Sequence, residues 1–139
     1  MPRRPTAGDA AELTRGLFDA WSDLDLSLSA LAPDAVWEAE SLGTTFEGAP
    51  AIRGFLEDWR GAYADYEAEP QEIAELGNGV VFVVLRLSGR PRGGAGSALE
   101  RRRPLVLVWE DGRIVKVTAP SSSIEQARAA AEQAAESGR

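Results

Sequence analysis

Glu40, Glu69 and Arg86 are the side chains whose type and placement could carry chemistry. A carboxylate desolvated beside an indole has a raised pKa and can act as a base near neutral pH. Glu40 ends the segment Ala35-Val36-Trp37-Glu38-Ala39-Glu40 and so stands close to Trp37. Arg86 closes the apolar run Val80–Leu85, and a guanidinium inside a buried strand needs an anionic partner. Each residue also has a plainer reading. Glu40 can be a solvated glutamate beside a loop, and Arg86 can reach solvent from a strand end. Trp37, Trp59, Tyr63, Phe82 and Trp109 are candidate walls of a substrate-binding pocket, or core packing, since each ring buries a large area.

Composition narrows the chemistry further. The 139 residues contain no cysteine and no histidine. Disulfides, thiolate and imidazole metal sites, cysteine nucleophiles and a Ser-His-Asp triad are therefore excluded. Proton transfer would fall to carboxylates, tyrosine or the single Lys116. No metal and no cofactor are expected. The net charge of −7 disfavours nucleic acid as a partner. No apolar run is long enough to span a membrane. Met1-Pro2-Arg3-Arg4-Pro5 lacks the apolar segment of a signal peptide, so a cytoplasmic protein is expected. Arg101-Arg102-Arg103 reads as cross-strand pairing with Glu67, Glu69 or Glu72, or as a contact to an anionic ligand group. Ser121-Ser122-Ser123 is a helix cap rather than a nucleophile, because no base adjoins it. The glycines at 89–96 lack the strand-to-helix setting of a nucleotide cradle.

These residues need elements to position them. Residues 1–8 are expected to be disordered. Asp9 caps a helix to Trp21 whose stripe is Leu13, Leu17, Ala20, Trp21 and Leu24, with Trp21 as its anchor. A short helix spans 25–31 and ends at Pro33. A strand at 35–40 and a glycine-containing loop lead to a helix at 50–63. That helix aligns Ile52, Phe55, Leu56, Trp59 and Tyr63 on one face. Strands are expected at 66–76, 80–87, 99–110 and 113–119. Pro70 marks an edge or bulge, and Gly77-Asn78-Gly79 and Asp111-Gly112 mark turns. The stretch 88–97 reads as a loop. Ser122-x-x-Glu125 reads as the capping box of a final, alanine-rich helix whose end, 131–139, frays. The domain proper is 9–130.

The order of a tryptophan-bearing strand, a glycine turn, the helix Ala49-Pro50-Ala51-Ile52-Arg53 and a closing Asp-Gly hairpin resembles the nuclear transport factor 2-like superfamily. The likeness is greatest to its SnoaL-like small bacterial members. The resemblance implies an α+β cone: three N-terminal helices packed on a curved, mainly antiparallel sheet, with a short C-terminal helix. It implies a hydrophobic small-molecule ligand held in a pocket, with Trp37 and Trp59 on facing elements. It also implies a homodimer, in which a second copy covers the outer face of 80–87, a strand apolar on both faces.

The family's catalytic sets transfer only in part. Ala32–Ala39 resembles the ketosteroid isomerase segment that ends in a general-base aspartate, but that position is Ala39, and the first helix has no tyrosine. Glu40 could substitute if a bulge turns it inward. Limonene epoxide hydrolase uses an Asp-Arg-Asp set on strands. Glu69 and Arg86 lie on strands the family joins, and a pair there could hold a water or polarise an epoxide or carbonyl oxygen. SnoaL-like cyclases use an aspartate with a histidine nearby, which is missing here. Two readings stay open. One is a cofactor-free cyclase, isomerase or epoxide-opening enzyme on a hydrophobic substrate such as a polyketide. The other is a non-catalytic binding or dimerisation module. An enzyme of the first kind buries a carboxylate in its pocket, while a binding module can have a purely apolar one.

Overall fold

Positive backbone φ at Gly77, Asn78 and Gly79, and again at Asp111 and Gly112, reverses the chain at both expected turns. Glycine enters this region freely, and asparagine and aspartate tolerate it. The computed structural model describes residues 9–20, 24–92 and 98–137. Trp21, the expected anchor of the first helix, and residues 1–8, expected to be disordered, lie outside the described residues.

The first two helices are α1 (Asp9–Asp19) and α2 (Leu24–Leu28). Strand β1 (Leu31–Ala39) runs through a short 3-10 turn into β2 (Thr44–Glu47), and α3 (Ala49–Gly61) follows. Four strands come next: β3 (Tyr63–Gly77), β4 (Val80–Pro91), β5 (Leu99–Glu110) and β6 (Arg113–Ala119). The last helix is α4 (Ile124–Ser137). One sheet holds all six strands in the order β2-β1-β6-β5-β4-β3. Its pairs are antiparallel except β1 with β6. The α+β architecture is the one expected.

Two segments expected as loops are strand. Thr44–Glu47 pairs with β1 through a turn at Gly43, whose φ is 65°. Its threonines and Phe46 suit an extended strand. Strand β4 continues through Gly89-Arg90-Pro91, paired with Tyr63 and Ala64 of β3. Arg90 there meets Asp65 at 3.0 Å. Pro70 does lie on the edge strand, at a register shift between Pro70 and Glu72.

The stripe of α1 is rotated from the expected one. Leu13 is exposed, while Ala10, Thr14, Leu17 and Phe18 are buried. The buried Thr14 hydroxyl donates to the Ala10 carbonyl at 2.7 Å and accepts from the Trp109 indole N–H at 3.0 Å. That bond ties α1 to β5 and satisfies both polar groups.

Strand β4 is buried on both faces from Val80 to Leu85. Val81, Val83 and Leu85 join the main core, with Leu17 and Phe18 from α1 and Ile52 and Leu56 from α3. Phe82 and Val84 face the other way, against Ala127 and Ala131 of α4. The cover that pointed to a second copy is thus supplied by the chain's own last helix. Alanines let α4 approach closely, and two polar contacts hold it. Arg128 donates to both oxygens of Glu72, at 2.5 and 2.8 Å, and lies 4.7 Å from the Phe82 ring centroid. Asn78 donates to the Ala135 carbonyl at 2.5 Å. The capping box sits one residue later than expected: Ser123 Oγ accepts from the Gln126 N–H, and Gln126 answers to the Ser123 N–H. Among the described residues no helix is long and apolar enough to cross a membrane.

Candidate functional site

Alternation along β1 sends Trp37 and Ala39 inward and Glu38 outward. Trp37 thereby becomes one wall of a cleft between the first three helices and the inner face of the sheet. The helices contribute Leu17 and Phe18 from α1, Ser27 and Leu28 from α2, and Leu56 from α3. Leu31 comes from β1, Leu105 and Leu107 from β5, and Ile114 and Val117 from β6. The cleft encloses about 20 Å3 for a water-sized atom, within about 340 Å3 of space counted out to its open side. Among the described residues Ser27 is its single polar-chain residue, and its hydroxyl donates to the Ala20 carbonyl at 2.9 Å. Among the described residues no charged side chain lines the cleft.

The residues selected from sequence are scattered by the fold. Only Trp37 lines the cleft. Trp109 is buried behind it, bonded to Thr14. Phe82 is on the opposite face of the sheet, under α4. Trp59 and Tyr63 form a separate aromatic cluster with Tyr66 where α3 hands over to β3, with ring centroids 5.6 to 6.5 Å apart. Gly89 makes room for that cluster: a Cβ there would lie 3.1 Å from the Tyr63 Cβ.

The three charged candidates do not converge. Glu40 is exposed and accepts from the Ser121 backbone N–H at 3.1 Å. Glu69 is exposed on the edge strand. It stands opposite Arg86 in the β3–β4 register, but the Arg86 guanidinium turns to Glu100 on β5, at 2.6 Å. Arg86 therefore reaches solvent near the strand end, and an ion pair this exposed contributes little. Arg102 meets Gln71 at 2.9 Å, and Glu72 is engaged by Arg128. Among the described residues no cluster of three or more carboxylates could hold a metal ion.

The aromatic cluster has a titration signature. Burial pushes the Tyr66 phenol above its ordinary value, against a hydrogen bond from Trp59 and the positive charge of Arg60. A folded-state pKa raised above the unfolded value leaves stability intact below the unfolded pKa, near 10. Stability is then lost as pH rises through the folded pKa. Absorbance titration of the phenolate should show the Tyr66 phenol ionising later than an ordinary tyrosine. Tyr66→Phe should remove it and flatten the alkaline loss of stability. A Tyr66 phenol that ionises at its ordinary value in the folded protein would contradict the buried placement.

Several lining residues were visible only as core. Leu17 and Leu56 stood in the helix stripes, and Leu105 and Leu107 alternate inward along β5. That alternation was the available signal. It marks a buried face without saying where that face leaves a gap.

The sequence matches the SnoaL-like domain family over residues 14–117. The chain belongs to that family. A comparison with curated proteins found no match. Among solved structures, a putative polyketide cyclase from Sinorhizobium meliloti is 29% identical, with a TM-score of 0.64, over 78% of this chain and 94% of the other. A nuclear transport factor 2-like protein of unknown function from Burkholderia pseudomallei is 24% identical, with a TM-score of 0.69, over 86% and 95%. A protein of ketosteroid isomerase-like fold from Catenulispora acidiphila, solved with trimethylamine, is 16% identical, with a TM-score of 0.70, over 80% and 85%. The last two show the fold. In this SnoaL-like domain the cleft lies between helices and sheet, and its lining is aliphatic apart from Phe18, Trp37 and Ser27.

Proposed function

We propose that this SnoaL-like protein binds a small, predominantly apolar molecule in the cleft beside Trp37, without a cofactor. The observation that carries this reading is the lining: ten apolar side chains and Ser27. Such a wall offers hydrophobic contact and little else, roughly 25 cal/mol for each Å2 of apolar surface removed from water. A ligand larger than a few atoms displaces lining side chains as it enters, because the enclosed volume is about 20 Å3. The test is ligand-observed NMR with a panel of small, uncharged apolar compounds. Leu28→Trp fills the cleft from the half-buried α2 side and should weaken binding at least tenfold while leaving the circular dichroism spectrum unchanged. The reading is lost if no panel member binds at millimolar concentration, or if the filled variant binds like the wild type.

The 29% identity to a putative polyketide cyclase favours a second reading, cofactor-free cyclisation of a flexible apolar chain. Catalysis would then come from holding the chain in its reactive shape. Glu40→Gln, Glu69→Gln and Arg86→Lys should each leave such a rate within about twofold, since none of the three lines the cleft. A tenfold slower reaction in any of them would replace enclosure by acid–base chemistry at that residue.

A further inference from the structure

Six of the chain's fourteen arginines fall between positions 86 and 103, and Glu100 is the one acidic residue in that stretch. A chain of net charge −7 thus gathers positive charge where β4 and β5 pair. The fold sorts these arginines by face, because residues directly opposite each other share one. Arg86 stands opposite Arg102, and both are answered: Arg86 meets Glu100 at 2.6 Å and Arg102 meets Gln71 at 2.9 Å. Arg101 and Arg103 stand opposite Leu87 and Leu85, which pack in the main core, so they leave the sheet on its inner face. They continue the row of Leu105 and Leu107 past the end of the cleft, and neither lines it. Among the described residues neither has a hydrogen-bond or ionic partner. Arg101 is exposed, but Arg103 is half-buried. Half-buried Arg53 and Arg128 both have carboxylates, Asp25 and Glu57 for the first and Glu72 for the second. A guanidinium partly removed from water calls for such a counter-charge. Aliphatic cover for Leu85 with the head in water would need one long side chain, not a second cation beside it.

We propose that Arg101 and Arg103 form a binding site for a phosphate group on the inner sheet face, outside the cleft. Alternate residues of a strand start about 7 Å apart, a span that two long side chains can close around one group. A carboxylate is matched by a single guanidinium through two parallel hydrogen bonds. A phosphate carries nearly two negative charges and three acceptor oxygens, so it engages both. The planar fork of arginine suits those oxygens better than a lysine would. The site does not depend on what the cleft holds.

The probes are inorganic phosphate and phenyl phosphate, titrated into the full chain at constant ionic strength, with acetate as the carboxylate control. Arginine Nε–H signals in nitrogen-15 NMR spectra read the contact. Those of Arg101 and Arg103 should shift saturably with phosphate, with a Kd of about 1 mM or tighter. Acetate should bind at least about tenfold more weakly. Arg101→Gln and Arg103→Gln should each weaken phosphate binding about tenfold, while Arg86→Gln, on the other face, stays within about twofold of wild type. Circular dichroism checks that the variants fold, and the two wild-type Nε–H signals carry the test if one does not. Equal affinity for the two phosphates supports the site with free phosphate as its ligand. Tighter binding of phenyl phosphate supports it with an organic ester. The proposal is overturned if no saturable shift develops by about 10 mM phosphate, or if acetate binds as tightly. It is overturned as well if Arg86→Gln loses as much affinity as the inner-face variants, since the attraction would then be diffuse charge and not a site.

Discussion

Gly79→Ala should leave little folded protein. A Cβ at Gly79 would lie 2.2 Å from the Trp109 carbonyl oxygen, and that oxygen is backbone of the neighbouring strand, not a movable side chain. The residue also holds φ at +78°, where an L side chain is strained. The close approach has a purpose, because the Trp109 N–H donates to the Gly79 carbonyl at 2.8 Å and closes the end of the β4–β5 ladder beyond the Val80–Val108 pair. Relieving the clash would separate the strands at the centre of the sheet and break that bond. The expected loss is on the order of 4 kcal/mol or more, a large fraction of an ordinary domain's stability. Gly77→Ala is the control. Its φ is also positive, +103°, but nothing lies within 4 Å of the added carbon. It should cost only about 1–2 kcal/mol. Urea melts of both variants test the argument. A Gly79→Ala midpoint equal to that of Gly77→Ala would show that the strands can shift, and the steric account would be wrong.

Trp109→Ala should cost about 3–5 kcal/mol, as expected for removing a buried ring. The residue is 1% exposed and couples β5 to α1 through Thr14. Trp109→Phe keeps most of the ring but removes the donor that Thr14 accepts. Thr14→Val does the reverse and leaves a buried indole N–H without an acceptor, at roughly 1–3 kcal/mol. The double variant should lose less than the two single losses added together, because the second change removes a group already orphaned by the first. Thermal and urea unfolding read these effects. The ligand-binding assay then separates Trp109 from Trp37: Trp109→Phe should bind the ligand panel within about twofold of wild type. If it instead loses ligand affinity and keeps its stability, Trp109 belongs to the site and not to the structural core.

The contrast between these two indoles shows where reading the chain stops. Their residue type and their inward phase on a strand are the same. One is satisfied by a threonine 95 positions away in sequence, and the other has no partner. A helix stripe predicted from apolar spacing missed Thr14 because a hydroxyl counts as polar until a buried donor is placed against it. Arg86 went astray for a related reason. Register put Glu69 opposite it, as the strand order implied, but a long flexible side chain chooses among the carboxylates in reach, and Glu100 is the one it meets.

Local chemistry did determine much of the molecule. Asn-Gly and Asp-Gly sequences demand tight reversals, and the strands on either side follow from alternation and β-branching. Pro70 cannot donate to a ladder, which places its strand at an edge. From these the element order and the SnoaL-like fold were legible, and so was the inward phase of Trp37. What covers a face was not. An apolar strand such as β4 requires cover on both sides, but periodicity is silent on whether a second chain or the chain's own α4 provides it. Tertiary packing decided that, and with it the side of the sheet on which Phe82 lies. It also decided where the core leaves a gap. A cavity is a deficit in the fit of side chains drawn from α1, α2, α3 and three strands, and no one segment carries that information.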